Sequence, residues 1–233
     1  MQLNYFTRYY LKSFIIISLL LSYSCSEDEK GAEEQYVIKD ADGNIYSSVK
    51  IGTQTWLQEN LKTTKYNNGD PIATTSPLFK DISDEISPLY QWAYEGDESL
   101  VDSYGRLYTW YVVADNRGIC PVGWHVPTLD EHEELIGFFS NLDEAFKSLK
   151  EAGTEHWLYP NAGTNSSGFN AVPAGRRFSE GTFCGLYCAA FFWNSTNDSF
   201  HPGTWSHAFS ISTCCSLSNF SNSEAFSVRC VKD

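Results

Sequence analysis

The sequence predicts an α+β fold, loop-rich, with short antiparallel strands, one or two helices and disulfide staples. Three observations predict it. Helical periodicity with proper start signals is confined to the stretch from Thr128 to Gly153. Elsewhere the apolar runs are short, rich in aromatic and β-branched residues, and separated by Gly, Pro, Asn and Ser. Six cysteines, Cys120, Cys184, Cys188, Cys214, Cys215 and Cys230, lie in the second half of the chain. An even number suggests pairing in an oxidising compartment, although six permit about 15 connectivities.

Composition sets outer limits. Of 233 residues, 15% are aromatic and 19% charged. A sizeable core can be buried, and a disordered chain is excluded. The formal charge is −13, and removing Met1–Ser24, which holds Arg8 and Lys12 but no acid, takes it to −15. Such a surface repels phosphate backbones, so nucleic acid is not an expected partner.

Residues 1–24 read as a lipoprotein signal peptide. Arg8 and Lys12 precede Phe14–Leu21, which is apolar apart from Ser18. That run is shorter than the roughly 20 apolar residues that cross a bilayer. Leu21-Ser22-Tyr23-Ser24-Cys25 resembles a loose bacterial lipobox, with Tyr23 where a small residue is usual. Cys25 would be lipidated and become the new N-terminus, and more than one acyl chain is needed for stable anchoring. The acidic run Ser26–Glu29 resembles a tag that sends lipoproteins to the outer face of the outer membrane. Read plainly, it is a solvated linker. Residues 25–35 are therefore expected to form an acidic tether, on a lipoprotein anchored in the outer membrane and facing outward.

Residues 36–233 are expected to fold. Asp42-Gly43-Asn44 marks a hairpin turn between Tyr36–Lys39 and Ile45–Ile51, and Gly52-Thr53-Gln54 marks a second turn. Asn67–Pro71 is a loop, residues 74–103 are irregular, and Leu107–Val113 is a buried strand or a short helix. Thr128-x-x-Glu131 fits a capping box that opens a helix with Leu135, Phe138, Phe139 and Leu142 as its apolar stripe. Asn141-x-x-Glu144 opens a shorter one with Ala145, Phe146 and Leu149 inward. Short strands follow at Phe191–Trp193, Trp205–Ile211 and Ala225–Val231.

One stretch resembles a known signature: Gly118-Ile119-Cys120-Pro121-Val122-Gly123-Trp124-His125-Val126-Pro127-Thr128. Upstream, Asp42–Tyr46, Val49–Gly52, Gln54-Thr55-Trp56, Glu59-Asn60-Leu61, Tyr66–Gly69 and Tyr104–Trp110 match in order. Downstream, Leu149–Thr154, His156-Trp157, Gly163–Phe169, Pro173–Arg177, Phe192–Thr196 and Phe226–Asp233 continue it. The ordered set resembles the Fibrobacter succinogenes major paralogous domain, a family of bacterial extracellular modules. The resemblance implies a C-type-lectin-like fold and carries over no catalytic residue. It also implies that Cys120 and Cys230, both in matching stretches, pair. Cys184 and Cys188 would then pair with Cys214 and Cys215, and a four-thiolate zinc site is the alternative.

No enzyme signature is present. His132-Glu133-Glu134 lacks a second His at helical spacing, Ser195 has no nucleophile elbow, and His125 reads as a packing residue. The expectation is a non-catalytic module that binds an extracellular ligand, foremost a carbohydrate, without a cofactor. The alternatives are an adhesion protein that binds another protein, or an enzyme of formylglycine-generating type, which would need reactive thiols among Cys184, Cys188, Cys214 and Cys215. Trp92, Trp157, Trp193 and Trp205 are candidate sugar-stacking residues, while Trp56, Trp110 and Trp124 are expected in the core. Asn194, Asn197 and Asp198 follow Trp193 as candidate oxygen ligands, in a pattern that departs from the Trp-Asn-Asp of calcium-dependent lectins. A plain turn is the default there. Oligomeric state is not legible.

Overall fold

The computed structural model describes residues 37–197, 205–212 and 220–233. Cys25, Asp198, Cys214 and Cys215 lie outside that set, and of Asn197 and Trp205 only the backbone is described.

Local chemistry dictates the first elements. Ile38–Lys39 (β1) and Ile45–Tyr46 (β2) pair antiparallel around the Asp42-Gly43-Asn44 turn. The Asp40 carboxylate organises it, accepting from the N–H groups of Asp42 and Asn44 at 3.0 Å and from the Tyr46 hydroxyl at 2.6 Å. Ser48–Ile51 (β3) and Gln54–Leu57 (β4) form the second hairpin, closed by Gly52-Thr53 with Gly52 at φ 59°.

Gln91–Trp92 (β5) is followed by a short helix, Val101–Tyr104 (α1). The run Leu107–Val113 proves to be both of its expected alternatives: Leu107–Thr109 is a strand (β6) and Trp110–Val113 one helical turn (α2). Trp124–His125 (β7) leads into Leu129–Gly137 (α3), whose capping box is complete. Leu142–Leu149 (α4) starts at Asn141, whose side chain accepts from the Glu144 N–H at 3.0 Å. The expected α3 stripe needs correction. The helix ends at Gly137, so Phe138 and Leu142 leave its periodicity and are exposed, while His132 and Leu135 form the buried face.

Seven strands complete the chain: Ala174–Arg177 (β8), Phe183–Leu186 (β9), Ala189–Asn197 (β10), Trp205–Ser212 (β11), Phe220–Ser221 (β12), Ala225–Phe226 (β13) and Val231–Lys232 (β14). The sheets run β1-β2, β3-β4-β14-β7, β5-β6-β13-β8-β9 and β10-β11-β12, with every strand pair antiparallel. This is a mixed α and β fold with few helices and several short antiparallel sheets.

Strand β10 explains the core. Its side chains alternate between two apolar clusters. Ala189, Phe191 and Trp193 enter one with Trp110, Trp124 and Phe226, and Ala190 and Phe192 enter the other with Trp56, Trp157 and Phe169. A strand buried on both faces reads as a continuous apolar run, as this one does. The disulfide Cys120–Cys230 sits in the first cluster, with Cα atoms 6.0 Å apart.

Candidate ligand-binding site

After β5 the chain turns sharply through Tyr94–Gly96 and Glu98–Leu100, two single 3-10 turns, and Glu95 stands at φ 50°. The connection from β9 to β10 holds Tyr187 at φ 70°. For residues such as Glu and Tyr the left-handed region costs on the order of 1–3 kcal/mol. Tyr187 stays there because both its backbone groups are tied: its N–H donates to the Pro173 carbonyl at 3.0 Å, and its carbonyl accepts from the Leu158 N–H at 2.8 Å. Around Glu95, the N–H of Gly96 donates to Ala93 and that of Asp97 to Tyr94, each at 3.0 Å.

The two strained residues face the same space. Glu95 and Tyr187 line one hollow of about 440 Å³ together with Tyr94, Asp97, Leu100 and Leu186. Asp97 Oδ1 accepts from the Ser99 hydroxyl at 2.6 Å and the Ser99 N–H at 3.0 Å, and these bonds hold its carboxyl below the usual carboxylate range. Tyr187 is 43% exposed, and its ring meets Tyr104 edge-on at 6.0 Å. Tyr159, next to the Leu158 that binds the Tyr187 carbonyl, is 86% exposed. Burial, then Tyr187, Glu151 and Glu155, push the Tyr104 hydroxyl up to about 12.

Such a hollow offers accessible aromatic faces for apolar ring surfaces and carboxylates that accept from hydroxyl groups. A second hollow of about 370 Å³, lined by Ile51–Gln54, Glu134, Gly137 and Phe138, is more apolar and contains none of the residues with positive φ other than glycine.

The expected stacking residues are elsewhere. Trp92, Trp157 and Trp193 are buried and present no face to a ligand. Lys150 Nζ lies 3.8 Å from the Trp157 ring centre, and the indole N–H groups of Trp157 and Trp193 donate to the carbonyls of Ala171 and Tyr108. Asn194 is buried as well, and Asn194–Asn197 continue β10 through a shift in register instead of forming a turn. Trp56, Trp110 and Trp124 are in the core as expected. Cys184 is half-buried in β9 opposite Arg176, and Cys188 is disulfide-bonded. His125 is held by carboxylates more than by packing: Nδ1 is 2.7 Å from Asp233 and Nε2 is 2.8 Å from Glu131. No spacing pointed to Glu95, Tyr159 or Tyr187. The one available signal was a tyrosine and a glutamate at turns where Gly or Asn is usual.

The family model of the Fibrobacter succinogenes major domain matches residues 49–232. The chain belongs to this family. The Fibrobacter succinogenes major domain thus takes in β3 to β14 with both longer helices, the disulfide and the hollow between Glu95 and Tyr187. No curated protein and no solved structure matches the chain.

Proposed function

We propose that this protein is a non-catalytic, C-type-lectin-like ligand-binding module displayed outside the cell by a lipid on Cys25, and that its ligand is a carbohydrate. The observation that carries the reading is the convergence of Glu95 and Tyr187, both held at positive φ, on one hollow. Local strain maintained by surrounding hydrogen bonds clusters at binding sites, because it fixes side chains before the ligand arrives. In the hollow, the exposed ring of Tyr187 suits the apolar face of a sugar, and Glu95 and Asp97 suit its hydroxyls; Tyr159, outside the lining but next to the Leu158 bonded to Tyr187, offers a second exposed ring. The acidic chain disfavours anionic ligands. Oxidation of Cys188 removes one of the thiols that a formylglycine-generating activity would use.

The test is a glycan array probed with the full-length chain in mild detergent. Binding to a neutral or basic glycan should weaken at least about tenfold in Tyr187→Ala and Tyr159→Ala, the loss of a stacking face. Absence of binding to any glycan, or binding that both variants leave intact, would refute the carbohydrate reading. Capture of an envelope protein instead would favour adhesion.

A further inference from the structure

Glu151, Glu155 and His156 each offer one ligand atom, and those atoms lie within 4.8 Å of one another. We propose that these three side chains hold a divalent transition-metal ion of the Zn²⁺ class. One imidazole nitrogen with two carboxylates is a borderline donor set that suits Zn²⁺, whereas Ca²⁺ and Mg²⁺ favour oxygen ligands alone.

A second observation points to a cation. Glu151 is 8% exposed, and its Oε1 lies 2.7 Å from His156 Nδ1. Its Oε2 is buried and has no hydrogen-bond partner. A buried carboxylate oxygen without a donor is costly, and a metal ion supplies what it lacks.

The scaffold is built before the ion arrives. The Glu151 N–H donates to the Ala171 carbonyl at 3.1 Å, and the Glu151 carbonyl accepts from Asn161 Nδ2 at 2.8 Å. Gly163 packs so closely that a Cβ there would stand 2.2 Å from that same carbonyl oxygen. The His156 ring is braced edge-on by Tyr104 at 5.2 Å. Tetrahedral bonds of ~2.0–2.1 Å place neighbouring ligand atoms about 3.4 Å apart, so the 2.7 Å His156–Glu151 contact needs to open by about 0.7 Å. Three protein ligands leave a fourth position for water. Glu155 is exposed and His156 half-buried, which puts that position on the solvent side. The site depends only on its own residues and stands whether or not the hollow binds a sugar.

The experiment uses the full-length chain, purified in mild detergent and stripped with EDTA, then titrated with Zn²⁺ and separately with Co²⁺. About one equivalent of Zn²⁺ should bind, and Co²⁺ should give a visible d–d band. Glu155→Gln and His156→Ala should each weaken Zn²⁺ binding at least about tenfold and remove the band, with circular dichroism unchanged. His125→Ala and thiol alkylation should leave both signals intact. The assignment is overturned if no Zn²⁺ binds, if both site variants bind it as tightly as the parent, or if alkylation abolishes uptake. Competition by an equal concentration of Ca²⁺ would also overturn it. Should His156→Ala fail to fold, Glu155→Gln, at an exposed side chain, still decides.

Discussion

Arg229 delivers two hydrogen bonds to a single amide oxygen: Nε and Nη2 reach Asn60 Oδ1 at 3.2 and 2.6 Å. The guanidinium is fully buried, and its remaining donors go to backbone carbonyls of Leu57, Phe169 and Asn170. Asn60 Nδ2 in turn donates to the Tyr104 carbonyl at 2.9 Å. A cation hydrogen-bonded to amide and carbonyl oxygens thus ties the C-terminal strand region to the segment after β4. Asn60→Ala should cost about 1.5–3 kcal/mol, the range for hydrogen bonds to a charged group, read as a lower urea midpoint at unchanged slope. An unchanged midpoint would mean that Asn60 does not anchor the cation.

The disulfide should contribute more. Cys120 and Cys230 are buried and 110 residues apart in sequence. Closing so long a loop stabilises by about 4–5 kcal/mol in the chain-entropy model. The double variant Cys120→Ala/Cys230→Ala should therefore melt far lower than the parent. Equal melting temperatures would remove the disulfide from the account of stability.

Two histidines should give the stability curve opposite limbs. His132 is buried, stacked on Trp56 at 5.7 Å, and burial pushes its imidazole down to about 4. The unfolded chain takes up this proton near pH 6.5, so stability falls as pH drops from ~6.5 to ~4, by up to about 3 kcal/mol. His125 behaves oppositely. Partial burial works against its charge, but hydrogen bonds to Asp233 and Glu131 outweigh that and raise it. Its contribution is complete below ~6.5 and is lost as pH rises through the raised value. Urea midpoints across pH should show His132→Phe flattening the acid limb and His125→Gln the alkaline limb.

Glu95→Gly should separate stability from binding. Glycine relieves the left-handed backbone, so stability should rise by up to about 1 kcal/mol. Ligand affinity should fall, because the carboxylate and its fixed position are both lost. A variant that is less stable, or one that binds equally well, would show that the strain at Glu95 has no functional purpose.

Cys25→Ala should release the protein from membranes or stall its processing. Palmitate labelling of the parent and its loss in the variant is the measurement. Labelling that persists in the variant would place the lipid elsewhere.

Much of the fold was legible where chemistry is local. The Asp40–Asn44 turn, the Gly52-Thr53 hairpin and the caps at Thr128 and Asn141 depend on residues a few positions apart. The Cys120–Cys230 pairing was implied through the family pattern, and the structure contains it. What the sequence could not determine was which aromatic rings stay exposed. Trp157 and Trp193 looked like ligand platforms, yet both are buried, because β10 has apolar clusters on both faces and Lys150 covers Trp157. Residue type sets how much a ring gains from burial, but only the neighbouring elements decide whether it is covered. The hollow was equally invisible, since it joins Glu95 to Tyr187 from distant stretches. The cluster of Glu151, Glu155 and His156 sits in a loop that folds back so that Asn161 donates to the Glu151 carbonyl. The sequence by itself determined the family, the turns, the caps and the Cys120–Cys230 pairing. Tertiary structure decided the surface, because exposure and strain arise from contacts between segments that no local pattern encodes.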